Sequence, residues 1–273
     1  MGETFEGAPA AAAPAPAAAS APKPRVFDMH CHLDFDPDPA AAAASAQACS
    51  LGAFSATVEP QAFAPAEAAF AGSPGVCAGL GLHPWWVEEG PRGEEQLAAF
   101  ERLAPSARLV GEVGLDFGPR HIQLAEAQLA AFERIAAACE GGGKVLSIHA
   151  VRSAGQVLDV LERHGLMQSC ACIFHWFSGS SDELQRAARL GCFFSVNPRM
   201  LGTKRGRAYI RVIPENRLLL ETDLPEDAGL SYDAPAVVAR LDLMAAEIAE
   251  LRAVPADELG ARIAETSRRL LAL

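Results

Sequence analysis

Short apolar runs recur along the chain, and alanine-rich amphipathic stretches separate them. The runs predict eight strands: Arg25–Met29, Ala53–Val58, Val76–Leu82, Arg108–Val113, Val145–Ile148, Ala171–Phe174, Cys192–Val196 and Arg217–Glu221. They show little alternation of apolar and polar residues, which fits strands buried on both faces. Between them the pattern predicts helices, for example over Ile122–Cys139 and Ser181–Leu190. Strands that alternate with helices imply parallel βαβ units, because parallel neighbours need a crossover connection. Eight such units predict a closed (β/α)8 TIM barrel, with a doubly wound open sheet as the alternative. Gly141–Gly143 reads as a flexible turn before the fifth strand; no Lys-Ser/Thr helix start follows, so a phosphate loop is not expected there.

Residues 1–24 break this rhythm. The tract MGETFEGAPAAAAPAPAAASAPKP has no basic start and no strongly apolar segment, so it does not read as a secretory signal. Its prolines remove donors and block helix, and it is expected to be a disordered or polyproline-like tail. The folded domain is expected over 25–273, about 249 residues, close to the usual size of such a barrel. No stretch reaches the roughly 18 apolar residues that span a bilayer. Half of the 273 residues are hydrophobic and 21% charged, which excludes disorder throughout. The net charge of −11 leaves no basic nucleic-acid footprint, although bound metal ions supply local positive charge that a residue count omits. Seven cysteines, an odd number in a long chain, fit reduced thiols and a cytoplasmic location better than a disulfide framework.

The candidate chemistry sits at the strand ends. The first strand runs into Asp28-Met29-His30-Cys31-His32. Residues i and i+2 of a strand share a face, so His30 and His32 are expected to aim two imidazoles at one point. Asp28 has the same parity and is expected below them as an orienter, with Cys31 on the opposite face. The third strand ends at His83, the fourth at Glu112 and Asp116, the fifth at His149, the sixth at His175 and the eighth at Asp223. In a (β/α)8 barrel all these ends meet at one mouth. Five of the seven histidines fall there, and five core histidines would not gather at strand ends by chance. His30, His32 and Asp223 are expected to hold one divalent cation, His149 and His175 a second, with Glu112 bridging. Imidazole with carboxylate suits zinc, manganese, nickel or iron(II); magnesium prefers more oxygen ligands. Two such ions clamp the attacking and leaving oxygens of a phosphoryl displacement.

The ordered segments FDMHCHLDF, GLHP, GEVGLDF, SIHA, FHWFSGS and ETDLP resemble those of the TatD family of metal-dependent deoxyribonucleases, amidohydrolase-type barrels. The resemblance runs from about Val26 to the C-terminal helix. It implies a binuclear divalent-metal centre, hydrolysis of DNA phosphodiester bonds of a 3′–5′ exonuclease type, and ligand roles for His30, His32, Glu112, His149, His175 and Asp223. The chain departs from the pattern outside that set. The segment from His149 to Ala154 is one residue longer than usual, Leu224 and Glu226 replace the usual Ser and Tyr, and Thr266–Leu271 replaces the terminal Asn-x-x-Arg-Leu-Phe. The resemblance also implies a second setting, a nuclease subunit with multiprotein partners in a bacterial defence system.

Asp223 is the candidate to accept a proton from the attacking water, with ligation alone as its other role. His83 is expected to bind a substrate phosphate or donate to the leaving oxygen, or else to support the neighbouring loop. Arg152 is the candidate phosphate fork. Trp85, Trp86 and Trp176 are expected to pack under the mouth loops, with stacking on single-strand bases as the alternative. His121 and His164 are expected on surface helices. Weak backbone affinity from an acidic chain favours single-stranded or frayed DNA ends over intact duplex. The competing readings are a hydrolase of an amide, lactone or aminoacyl ester on the same centre, and a non-catalytic subunit, which the complete ligand set disfavours.

Overall fold

The computed structural model describes residues 23–273, so the expected tail lies almost wholly outside the described residues. Eight parallel strands form one sheet in chain order: β1 Val26–Cys31, β2 Leu51–Ala56, β3 Val76–Leu82, β4 Leu109–Asp116, β5 Val145–Val151, β6 Ala171–His175, β7 Phe193–Val196 and β8 Leu218–Leu220. Helices return the chain between them, and Ala234–Arg252 and Ala256–Leu271 follow the last strand. All eight expected strands are present; β4 and β5 run three residues further than expected, because their ends stay paired up to Asp116 and Val151. The expected helix over Ile122–Cys139 begins as a 3-10 turn at Ile122–Leu124 and becomes α-helical at Ala125. Helix starts follow local chemistry. Asp38 caps Ala41 just before Pro39, and Ser180 and Glu183 form a reciprocal capping box.

Two apolar layers hold the barrel. The inner one is built from Phe27, Met29, Phe54, Leu109, Val145, Ile173, Phe193 and Leu219, and the C-terminal helix closes its floor with Leu270 and Leu271. The outer one joins strands to helices and includes Val26, Cys31, Val110 and Val113. Val26 and Cys31 differ in parity, yet both face outward; so do Val110 and Val113. The register shifts between Asp28 and Cys31 in β1, and between Val110 and Val113 in β4. Such bulges turn a strand's later side chains to the other face. In β1 and β4 they turn His30, His32 and Glu112 inward, above residues whose alternation would have sent Glu112 out. Gly111 makes the β4 bulge possible: its φ is +152°, and a Cβ there would lie 2.8 Å from that of Ser147.

The first bulge also overturns the expected role of Asp28. Asp28 faces outward with Cys31, away from the two histidines. Its Oδ1 accepts from the backbone N–H of Thr222 at 2.9 Å, and its Oδ2 from the Thr222 hydroxyl at 2.5 Å and the Tyr232 hydroxyl at 3.0 Å. No ladder joins β8 to β1 among the described residues. The seam is closed by these side-chain bonds and by two backbone bonds, Asp223 N–H to the His30 carbonyl (3.0 Å) and His32 N–H to the Leu224 carbonyl (2.9 Å). That closure excludes the open-sheet alternative. All seven cysteines are free. No helix among the described residues is long and apolar enough to cross a membrane. Asp28→Ala should lower stability by about 3 kcal/mol, since it strands buried donors at the seam. Urea denaturation checks this; an unchanged midpoint would mean that the seam is held by other contacts.

Candidate metal centre

Six side chains from five places in the barrel converge at the mouth, all buried except Asp223 at its edge. The Glu112 carboxylate is the point of convergence. Its Oε2 lies 3.3 Å from His30 Nε2 and 3.5 Å from His32 Nε2. Its Oε1 lies 2.7 Å from His149 Nδ1 and 2.8 Å from His175 Nε2. Asp223 Oδ1 stands 3.4 Å from the Nε2 atoms of both His30 and His32. The expected six residues therefore meet, divided by the two oxygens of one carboxylate. Asp223 has a left-handed φ of 63°, a conformation that costs a non-glycine residue about 1–3 kcal/mol and recurs at functional sites.

The other ring nitrogen of His30, His32 and His149 has its own hydrogen-bond partner, and that of His175 faces a carboxylate without a hydrogen bond. His32 Nδ1 donates to the Ala56 carbonyl at 2.7 Å, which in the neutral ring leaves Nε2 as the lone-pair atom. His149 Nε2 faces Asp116 Oδ2 at 3.1 Å, so Nδ1 points into the cluster. His30 Nδ1 meets the Ser147 hydroxyl at 2.6 Å. His175 Nδ1 looks toward Glu221 Oε1 at 3.6 Å, and Ser195 and Asn197 donate to that carboxylate. Outer partners of this kind fix the tautomer and aim of metal-ligating histidines. Asp116 thus orients His149 from the end of β4. Ser147 and Glu221 are not legible in the sequence, because an alternating strand marks a residue as inward without saying which imidazole it will meet.

These donors fit divalent cations. His30 Nε2 is fully buried without a hydrogen-bond partner and looks into the cluster. Three trios have ligand atoms mutually within 4.8 Å: His30–His32–Asp223, His30–Glu112–His175 and His83–Glu112–His149. His83 stands apart chemically. Its Nδ1 accepts from the Trp85 backbone N–H at 3.1 Å, so its proton sits on Nε2, 3.2 Å from Glu112 Oε1. A protonated nitrogen is a donor and not a metal ligand. Burial also lowers the His83 pKa to about 4, so the ring is neutral near pH 7.

Electrostatics separates the remaining groups. Burial works against charge at every one of them. In His32 the bond to Asp223 and the charge of Glu112 outweigh it and raise the pKa to about 9. Asp116 and Glu112 raise His149, and Glu112 and Glu221 raise His175 well above the ordinary value. The imidazoles in turn hold Glu112 and Asp223 below the carboxylate range. Protons thus balance the acidic centre when cations do not.

The cavity above the cluster measures about 580 Å³. Three expectations fail at its mouth. Arg152 is exposed, in a left-handed turn (φ 55°) that carries the chain out of β5, and it does not line the cavity. The lining arginine is Arg199, which lies 4.8 Å over the Trp176 ring and pairs with Glu226. Trp85 and Trp86 are not packed under loops: they are 48% and 39% exposed at the rim. His121 is also at the mouth rather than on a surface helix, stacked 4.8 Å from Trp85. His164 caps the helix Ala154–Arg163 between Glu133 and Glu140, partly buried and remote in sequence from the strand ends.

A closed parallel barrel with histidines and carboxylates converging on the carboxyl ends of its strands defines the class of metal-dependent hydrolases. The profile of TatD-related DNases matches residues 27–272, and the chain belongs to that family. It is 31% identical over 162 residues to the "3′-5′ ssDNA/RNA exonuclease TatD" of Musicola paradisiaca, covering 56% of this chain and 59% of that protein. A protein of the same description from Pantoea vagans is 30% identical over 216 residues, 73% of this chain and 80% of that one. The chain therefore spans about three fifths of the first relative's length and four fifths of the second's. The crystal structure of YJJV, a TatD homologue of Escherichia coli K12, superposes with a TM-score of 0.70 at 27% identity, covering 91% of this chain and 98% of that one.

Because His32, His149 and His175 hold protons above their usual range, a metal must displace them, and metal affinity should fall as pH falls below about 9. Calorimetric titration of zinc into metal-free protein at pH 7.5, in two buffers of different ionisation enthalpy, should show release of about one proton or more. Equal heats in the two buffers would mean that the imidazoles are already neutral.

Proposed function

We propose that the protein is a divalent-metal-dependent deoxyribonuclease that removes nucleotides from 3′ ends, with single-stranded or frayed DNA preferred over duplex interior. The observation that carries this reading is the division of Glu112, one oxygen toward His30 and His32 and the other toward His149 and His175. A carboxylate so placed suits a bridge between two cations. His30, His32 and Asp223 would hold one ion, and His149 and His175 the other. Divalent ions there lower the pKa of bound water and neutralise charge that builds on the phosphoryl oxygens. The relatives' description as single-strand exonucleases supports the substrate class, and the seven free thiols support a cytoplasmic setting.

The chain's own groups then take distinct parts. Asp223, at the open edge of the cluster, accepts the proton of the attacking water. His83, neutral with its proton on Nε2, donates a hydrogen bond to a phosphate or leaving oxygen at the same mouth. Arg199 takes the part expected of Arg152, exchanging Glu226 for a substrate phosphate. Asp116, Ser147 and Glu221 hold the imidazoles in register.

Metal-loaded protein should shorten 5′-labelled single-stranded DNA stepwise and act more slowly on blunt duplex. Glu112→Gln should keep the fold by circular dichroism and lose activity by more than about 100-fold, beyond the 10–100-fold typical when only an outer partner of a ligand is changed. Hydrolysis of amides, lactones or aminoacyl esters with every DNA substrate left intact would overturn the proposal in favour of the other hydrolase reading.

A further inference from the structure

The mouth above the cluster is acidic and aromatic at once. Glu112, Asp223, Glu226 and Asp227 line it, and Arg199 is the one lysine or arginine on its walls among the described residues, already paired with Glu226. A polyanion gains little from such walls, because phosphate affinity comes chiefly from neutralising basic groups. The apolar surface at the rim is of another kind. The Trp85 and Trp86 rings lie 6.1 Å apart and within 19° of parallel. The His121 ring continues the stack on Trp85, within 10° of parallel. Nearly half of Trp85 and two fifths of Trp86 remain open to solvent.

The Trp85 indole and the backbone of Trp86 are also held in place. Trp85 Nε1 donates to Asp116 at 2.6 Å, and the backbone N–H of Trp86 donates to the His83 carbonyl at 2.9 Å. The Trp86 carbonyl accepts from Gln96 Nε2 at 2.9 Å. Large aromatic rings fixed before binding offer stacking area at little further cost in side-chain freedom. Both indoles border the cavity that ends at Glu112 and His149. A flat ligand laid on the ladder would thus stand beside the cluster.

We propose that Trp85 and Trp86 form a stacking subsite for an unpaired nucleobase adjoining the phosphodiester at the cluster. This rests on the nuclease reading for the identity of the ligand. It deepens that reading, because a base inside a duplex has its faces covered by its neighbours, whereas a single-strand end has one to offer. The rim thereby selects single strands without a basic groove, which is how a chain of net charge −11 engages nucleic acid.

The test separates base from phosphate. A trinucleotide with an uncharged methylphosphonate backbone is titrated into metal-free protein and followed by indole fluorescence. It should quench the emission, and the same backbone with abasic residues should not. Trp86→Ala should weaken binding about 5- to 150-fold, the loss expected for one base stack, and Trp86→Phe should recover most of it. Trp86 is chosen because Trp85 touches Asp116 and so the ligand His149. Equal binding by wild type and Trp86→Ala, or by the normal and abasic probes, would overturn the subsite. A second arm keeps the two readings apart. If metal-loaded wild type removes a terminal abasic residue from ordinary DNA as fast as a normal nucleotide, the subsite fails and the nuclease reading stands. If neither DNA is cut while base-dependent quenching persists, the nuclease reading fails and the subsite stands.

Discussion

The structure depends on keeping one buried carboxylate ionised. Glu112 is 3% exposed, and an isolated carboxylate in that position would be costly enough to take up a proton instead. Five imidazoles within 3.5 Å of its two oxygens, those of His30, His32, His83, His149 and His175, remove that cost, and they need partners of their own to stay aimed. Ala56, Ser147, Asp116 and the Trp85 backbone supply hydrogen bonds to four of them, and Glu221 lies 3.6 Å from the fifth, His175. Removing any one leaves a buried polar atom unpaired, so the network acts as a unit. The same negative centre that protons balance in the metal-free protein is suited to divalent cations, which ties the electrostatics of folding to the chemistry.

Two bulges make that convergence possible. A regular β4 with Leu109 inward would place Glu112 among the helices, and the bulge after Val110 sends it to the barrel axis instead. The bulge in β1 does the same for His30 while leaving Asp28 on the outer face. There Asp28 joins β1 to the segment after β8 where no strand ladder does so, and it steadies the left-handed backbone of Asp223. The closure of the barrel and the aim of its ligands are thus one arrangement.

The barrel and the six converging residues are legible in the sequence, because a polar residue that ends a buried apolar run is costly to bury unless it meets a partner or a cation. The features that escape a sequence reading lie where periodicity gives no guidance. Parity carried across a bulge puts Asp28 on the wrong face of β1. Nearness to His149 along the chain favours Arg152 over Arg199, but a left-handed turn separates Arg152 from the cavity. Large rings usually pack under loops, so exposure of Trp85 and Trp86 is unexpected unless it serves a surface. Glu221 and Ser147 read as core strand residues, and only the packing of β5 to β8 assigns them their imidazoles.

On the proposed reading the acidic walls and the aromatic rim would give the mouth its selectivity, but both would act only if the cluster holds its ions where Glu112 divides the ligands. The most direct measurement is anomalous diffraction from crystals grown with zinc or manganese. Two ions are predicted, one on each oxygen of Glu112, the first also bound by His30, His32 and Asp223 and the second by His149 and His175. A single ion, or ions that leave Glu112 uncoordinated, would contradict the division of ligands by Glu112.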